Sequence, residues 1–243
     1  MKKIALIRRS FRLDGGAEKS LKAYASVFKS LGYQVTLVCQ SWEEEKACAD
    51  QLFDNTVLLP VESGSRLCSL VEFSEQAIRW IRANPSYIVQ SHEWIPGAHV
   101  LRLGDGLHSV WINRKRASRG FFSNIVSSYS RFDTYKCRLE KESLGHPNLK
   151  VVISNSGMVR DELLSRYSMN SNVRVEVVRN LISSSVELTE PRFSRCSRDI
   201  VVGFAGSGWE RKNLELVLQS MTLLDGNYKL WIAGTDKNVG RYR

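Results

Sequence analysis

The chain is short of acid, of paired cysteines and of long apolar runs. Its 243 residues carry 25 Asp and Glu against 35 Lys and Arg, a formal net charge of +10. That surplus selects anionic partners, whether phosphates, nucleic acid or an acidic membrane face, without deciding among them. Cys39, Cys48, Cys68, Cys137 and Cys196 are odd in number, widely spaced and form no C-x-x-C pair. A zinc framework and a disulfide framework are both disfavoured, and the expectation is free thiols in a reducing compartment, the cytoplasm. The apolar run after the basic start ends at Ile7, before Arg8 and Arg9, too short for a signal-peptide core. No later stretch is long enough to span a bilayer. There is no internal repeat and no G-x-G-x-x-G, so NAD is disfavoured. His92, His99 and His108 follow no metal-ligand spacing; they read as polar loop groups, and no metal or other cofactor is expected.

What is present is alternation. With 43% hydrophobic residues the chain can bury a full core. Lys3 to Ile7 reads as a buried strand, and a loop to Gly15-Gly16 leads into a helix with apolar positions Leu21, Tyr24, Ala25, Phe28 and Leu31, capped by Gly32. Gln34 to Cys39 is the next strand, completing a β-loop-α-β unit of the kind that builds parallel sheets. Short apolar runs at Thr56 to Val61, Tyr87 to Gln90, Leu149 to Ser154 and Val175 to Val178 alternate with helical stretches around Cys68 to Arg82 and Met158 to Tyr167. Ser118 to Ser143 reads as a basic helical region with a break. The result is an α/β architecture with residues 1–180 as a first doubly wound domain, 181–198 as a Ser-rich charged linker, and 199–243 as the start of a second. In that second part Ile200 begins a strand, Leu214 to Leu224 a helix and Tyr228 to Ala233 another strand. One such unit cannot cover both faces of its own sheet, so an incomplete second domain is expected.

Four groups of residues carry candidate chemistry. Gly15, Gly16 and Glu18 lie between the first strand and helix, where a ligand meets the C-terminal edge of a parallel sheet; a plain flexible turn fits the same residues. Asp105, flanked by Gly104 and Gly106 after a strand, is a carboxylate with room to approach a sugar hydroxyl, or an Asp in an ordinary Asp-Gly turn. Gly206 and Ser207, followed by Arg211 and Lys212 at the opening of a helix, suit a diphosphate: glycine lets backbone N–H groups approach, and two cations hold the charge. Cations at a helix start are otherwise mildly unfavourable. Arg114, Lys115, Arg116 and Arg119, followed by Phe121 and Phe122, form the densest basic stretch, read as a solvated helix face, a nucleic-acid groove or a surface on anionic lipid. No nucleic-acid recognition motif accompanies it, so nucleic acid is not expected.

The glycine loop before a helix ending L-G-Y-x-V-T-L, the P-G and G-D segments, K-V-V-I-S-N-S-G-M-V, V-V-R-N and G-S-x-x-x-R-K occur in an order that resembles retaining nucleotide-sugar glycosyltransferases of family 4. The series is similar to the lipopolysaccharide core glucosyltransferases acting on heptose, over essentially the whole chain. The resemblance implies two Rossmann-like domains of the GT-B type, the second incomplete, and transfer of a hexose from a UDP-sugar to a lipopolysaccharide core sugar with retention. It implies that Arg211 and Lys212 bind the donor diphosphate, with Gly15, Gly16, Glu18, Gly206 and Ser207 also on substrate. Asp105 is implied in the acceptor cleft as base or orienting group, and the basic patch on the anionic inner face of the cytoplasmic membrane. The family also carries a later E-x-x-x-x-x-x-x-E segment; after Ala233 this chain has only GTDKNVGRYR. Weak or absent turnover is therefore expected. The competing reading is a non-catalytic anion-binding module that docks to acidic membrane or nucleic acid.

Overall fold

The computed structural model describes residues 2–11, 16–42, 52–62, 64–117, 130–180, 200–210, 212–236 and 239–242. The chain divides into two compact units, Met1–Ile182 and Ser183–Arg243.

The first unit runs β1 (Lys3–Ile7), β2 (Ser10–Phe11), α1 (Gly16–Ser30), β3 (Gln34–Cys39), β4 (Ser41–Trp42), β5 (Asn55–Leu58), α2 (Arg66–Ala83), β6 (Tyr87–Ser91), β7 (Val100–Leu103), α3 (His108–Ala117), α4 (Arg131–Leu144), β8 (Val151–Ser154), α5 (Gly157–Arg166) and β9 (Arg174–Val177). Seven strands make one sheet in the order β5-β3-β1-β6-β7-β8-β9, parallel at every pairing. The chain winds outward from β1 to β5, then returns to β6 and winds the other way, so the order reverses between β1 and β6. Open parallel sheets bind ligands outside the C-terminal strand ends at such a switch point.

Strand β1 shows why its sequence is apolar at nearly every position. Ile4 and Leu6 pack with Leu21 and Ala25 of α1 and with Val35 and Leu37 of β3. Ala5 and Ile7 belong to the other core cluster, with Val89 of β6, Phe73 and Ala77 of α2, and Val159 and Leu163 of α5. A strand covered by helices on both faces has no solvent side to spend polar residues on.

Helix α1 ends as its glycine predicts. Gly32 takes φ +77, its N–H donates to the Lys29 carbonyl at 2.9 Å, and the Tyr33 N–H donates to the Phe28 carbonyl at 3.0 Å. This is a Schellman closure, and its usual apolar contact is present as an edge-on Tyr33–Phe28 ring pair with centroids 5.9 Å apart. Leu31 belongs to that closure rather than to the apolar face of the helix, and it is 65% exposed.

Several boundaries shift from expectation. The strand read at 56–61 is Asn55–Leu58, and the one at 175–178 is Arg174–Val177. The basic region read over 118–143 divides between α3 and α4, with 118–129 outside the described residues. Helix α3 begins ten residues ahead of that region, at His108, because its N-terminus is held by an acceptor far away in sequence. Cys39, Cys68 and Cys137 are free thiols, and burial pushes Cys39 up to about 12.

The second unit contains β10 (Ile200–Ala205), α6 (Leu214–Met221), β11 (Tyr228–Ala233) and a 3-10 turn at Val239–Tyr242. The two strands pair in parallel from Ile200↔Tyr228 to Ala205↔Ala233. Helix α6 stops before Leu224, where the Thr222 and Leu223 N–H groups turn back to the Leu218 and Ser220 carbonyls. Trp209 and Leu214 are buried, whereas Ile200, Val201, Leu216, Leu223, Leu224, Trp231 and Ile232 are exposed.

Candidate functional site

Because all seven strands of the main sheet are parallel, the segments that follow them meet at one edge. Arg8 and Arg9 follow β1, His92 and Glu93 follow β6, Asp105 follows β7, Asn155 follows β8 and Asn180 follows β9. The first two groups stand at the switch point and are tied together. The Arg8 guanidinium pairs with the Glu93 carboxylate at 3.3 Å, and the Arg9 N–H donates to the same carboxylate oxygen at 3.3 Å. His92 is not the surface loop group its sequence suggested. Its ring meets Tyr24 of α1 edge-on with centroids 5.7 Å apart, and the Gln90 amide donates to its Nε2 at 3.0 Å. That bond leaves the ring proton on Nδ1. Burial, with Arg8 and Arg102 nearby, pushes the His92 pKa down to about 3, so the ring is neutral.

Arg102 is the residue that sequence reasoning passed over. Leu101 and Leu103 face the cluster under α2 and α5, so alternation along β7 puts Arg102 on the α1 side, 5% exposed. Its Nη2 donates to Asn180 Oδ1 at 2.6 Å, and the guanidinium carbon lies 5.4 Å from the Tyr24 ring centroid. A lone charge inside the apolar run V-L-R-L was the signal that could have found it.

Asp105 is exposed in the four-residue connection from β7 to α3, and that connection is anchored on both sides. Asn155 Nδ2 donates to the Gly104 carbonyl at 2.6 Å. On the other side the fully buried Glu140 of α4 accepts the N–H of His108 at 2.5 Å, the N–H of Ser109 at 3.3 Å, the Ser109 hydroxyl at 2.6 Å and the Tyr167 hydroxyl at 2.6 Å. A carboxylate at a helix N-terminus satisfies orphan amides and complements the helix dipole. His108 Nε2 lies 3.1 Å from Asp133 Oδ1, and desolvation nevertheless lowers its pKa. The third histidine, His99, is equally committed: its Nδ1 accepts the Val89 N–H at 3.1 Å. Residues 12–15, and so Gly15, lie outside the described residues; Gly16 is the first residue of α1, and the Glu18 side chain also lies outside what is described.

In the second unit the glycine and the lysine of the motif meet. Lys212 Nζ donates to the Ala205 carbonyl, the last of β10, at 3.3 Å. A Cβ on Gly206, at φ +132, would sit 1.7 Å from Lys212 Nζ. A side chain there would push the flexible lysine end aside, and the φ itself is one that favours glycine. The Gly206 carbonyl takes the Trp209 indole N–H at 3.0 Å, and the Trp209 N–H goes to Asp236 Oδ2 at 2.8 Å, which ties the loops after β10 and β11 together. Lys212 does not open α6 as expected: it stands in the turn before Asn213, a left-handed residue at φ 58 that precedes the helix. The cation thus escapes the unfavourable first-turn position. Ser207 is exposed in the same loop, and Arg211 lies outside the described residues.

The basic stretch is partly neutralised. Arg114 pairs with Glu162, and Lys115 Nζ lies 4.9 Å from the ring centroid of Trp111, itself 41% exposed. Arg116 is half-buried, and Arg119 lies outside the described residues. Among the described residues no helix is long and apolar enough to cross a membrane, and no three His, Cys, Asp or Glu side chains converge as a metal site. A cavity of 460 Å³, lined by residues including Arg82, His99, Glu142 and His146, opens at the N-terminal edge of β7 and β8, away from these groups.

The comparisons with known proteins agree with this architecture. WaaG, a glycosyltransferase involved in lipopolysaccharide biosynthesis, superposes with a TM-score of 0.77 at 16% identity, over 98% of this chain and 65% of its own. Anabaena Alr3699/HepE, solved in complex with UDP and glucose, superposes at 0.65 and 11% identity, over 100% of this chain and 63% of its own. The apo form of WaaB, a lipopolysaccharide outer core galactosyltransferase, gives 0.51 and 13%, over 99% and 62%. The chain therefore spans less than two thirds of the length of each, and it shares their GT-B type of α/β fold. No curated protein matches the chain in sequence. The signature of Glycosyltransferase Family 4 matches residues 14–185. The chain belongs to glycosyltransferase family 4.

Proposed function

We propose that the protein transfers a hexose from a nucleotide-sugar, a UDP-sugar, to a sugar of the lipopolysaccharide core, with retention of configuration. The observation that carries the reading is the placement of Lys212, an ammonium laid against the Gly206 backbone at the end of a parallel strand, in a chain of this family. When the anomeric carbon leaves the donor, negative charge builds on the departing diphosphate, and fixed cations stabilise it. Lys212 and Arg211 take that role, with Gly206 and Ser207 offering backbone approach. The acceptor hydroxyl attacks from the face the diphosphate leaves, and its proton passes to a departing phosphate oxygen. Asp105, exposed on its doubly anchored connection, orients that hydroxyl. Gly15, Gly16 and Glu18 are assigned to substrate as well. The reaction as read needs no metal.

The enzyme works at the cytoplasmic face of the inner membrane. Trp111 with Lys115 and Arg116 on α3 offers the aromatic and cationic pairing that suits an anionic lipid surface. Support for the donor comes from the HepE structure, which holds UDP and glucose, and for the acceptor from WaaG's part in lipopolysaccharide biosynthesis. Transfer of labelled glucose from UDP-glucose to deep-rough lipopolysaccharide tests the reading. A homologue that carries this first unit together with a second domain should transfer; no transfer by that homologue removes the acceptor assignment. The competing module reading is separated by calorimetry with UDP beside vesicle sedimentation over a salt series. Salt-sensitive lipid binding with no nucleotide heat favours the module.

A further inference from the structure

We propose that Arg102 anchors an oxyanion site in the first unit, where it takes a phosphate or carboxylate group carried by a sugar substrate. The assignment of that anion to a sugar substrate rests on the glycosyl-transfer reading above; the site itself does not. A guanidinium stays charged and carries five N–H donors. At Arg102 one nitrogen, Nη2, is bonded to Asn180, whereas Nη1 is buried with no hydrogen-bond partner, in a residue only 5% exposed. Asn180 is a neutral amide, so the charge itself is not met. Burying a cation without a counter-charge is costly, and a fold that retains one gains by binding an anion there.

Among the described residues, the neighbours do not supply that anion. Glu93, the carboxylate at the switch point, is engaged by Arg8 and by the Arg9 amide. Tyr24 offers its ring face to the guanidinium, and its hydroxyl is likewise buried with no partner. His92 is neutral and adds no charge of either sign. Among the described residues, two buried donors therefore stand without an acceptor beside the edge where parallel sheets bind ligands. The way in is short, since Asn180 is exposed and also reaches Ser20 of α1 at 3.5 Å. Arg102 lies one side chain below the surface, and displacing Asn180 opens it.

The test is calorimetry with inorganic phosphate, glucose 6-phosphate and UDP on the wild-type chain, Arg102→Met and Arg102→Lys, with a thermal unfolding curve of each. Arg102→Met should weaken phosphate and glucose 6-phosphate roughly tenfold or more, with Arg102→Lys in between. The unfolding midpoint of Arg102→Met should be equal to or above wild type, because an unpaired buried cation has been removed. If UDP binding is unchanged in Arg102→Met, the anion belongs to an acidic acceptor; if it falls in step with phosphate, the anion is the donor diphosphate. Phosphate binding by Arg102→Met at wild-type strength overturns the proposal, as does a lowered midpoint together with an unchanged phosphate affinity in Arg102→Lys. Should UDP fail to bind wild type while phosphate binds through Arg102, the nucleotide-sugar reading falls and the oxyanion site stands.

Discussion

The two units treat the same kind of strand in opposite ways. In the first, β1 buries Ile4, Ala5, Leu6 and Ile7, with helices on both faces of a seven-stranded sheet. In the second, β10 and β11 pair six residues in register yet leave Ile200, Val201, Trp231 and Ile232 exposed. Parallel strands draw their stability from coverage, which the first unit supplies on both faces; in the second, among the described residues, Trp209 and Leu214 are the buried hydrophobic side chains and hydrogen bonds tie the loops from Gly206 to Asp236. The candidate chemistry follows the same division. Rigid, deeply anchored groups around Asp105 and Arg102 belong to the first unit, and an exposed lysine on a glycine loop belongs to the second.

The strongest way to break the contrast is to damage the first unit from inside. Glu140→Ala leaves two amides and two hydroxyls without their buried acceptor, and urea unfolding should register a loss of about 3–5 kcal/mol. A loss below 1 kcal/mol would mean that the α3 N-terminus is not held as described. Gly206→Ala attacks the second unit. The new methyl group occupies the place of Lys212 Nζ at a φ that side chains rarely adopt, so a cost of about 1–3 kcal/mol is expected, seen as faster amide exchange in β10 and unchanged exchange in β1.

These two positions also show what could be read from sequence. The switch-point sheet, the closure at Gly32 and the glycine-lysine loop were legible, because period-2 and period-3.6 patterns and glycine placement are local. Glu140, Arg102 and the role of His92 were not. Glu140 meets its partners 31 and 32 residues back and 27 residues on, and such pairing leaves no local trace. Arg102 broke the apolar pattern of its strand, and pattern reading gives one charge no meaning until the face it occupies is known. The lysine was correctly associated with the loop but misplaced at a helix start, since the left-handed Asn213 that separates them has no strong spelling.

The buried imidazole of the first unit makes its stability depend on pH. His92 is held neutral in the folded chain down to about 3, while in the unfolded chain it takes a proton below 6.5. Its contribution is therefore fully present above pH 6.5 and is lost as pH falls toward 3. His92→Gln should flatten the acid limb of stability between pH 6 and 4 by up to about 1.4 kcal/mol per pH unit, one proton's worth. His99, His108 and His146, also lowered by desolvation, leave a residual slope. An unchanged slope would mean that His92 is protonated in the fold. The smallest effect belongs to an exposed side chain: Leu223→Ser, at 84% exposure, should change stability in urea unfolding by no more than about 0.5 kcal/mol.

Calorimetric titration of UDP into the wild-type chain and Lys212→Ala decides whether the glycine-backed ammonium of the second unit receives a nucleotide diphosphate. Saturable binding by wild type is expected, with an affinity roughly tenfold to a hundredfold weaker in Lys212→Ala and the same unfolding midpoint. Equal UDP affinity in the two chains would contradict it.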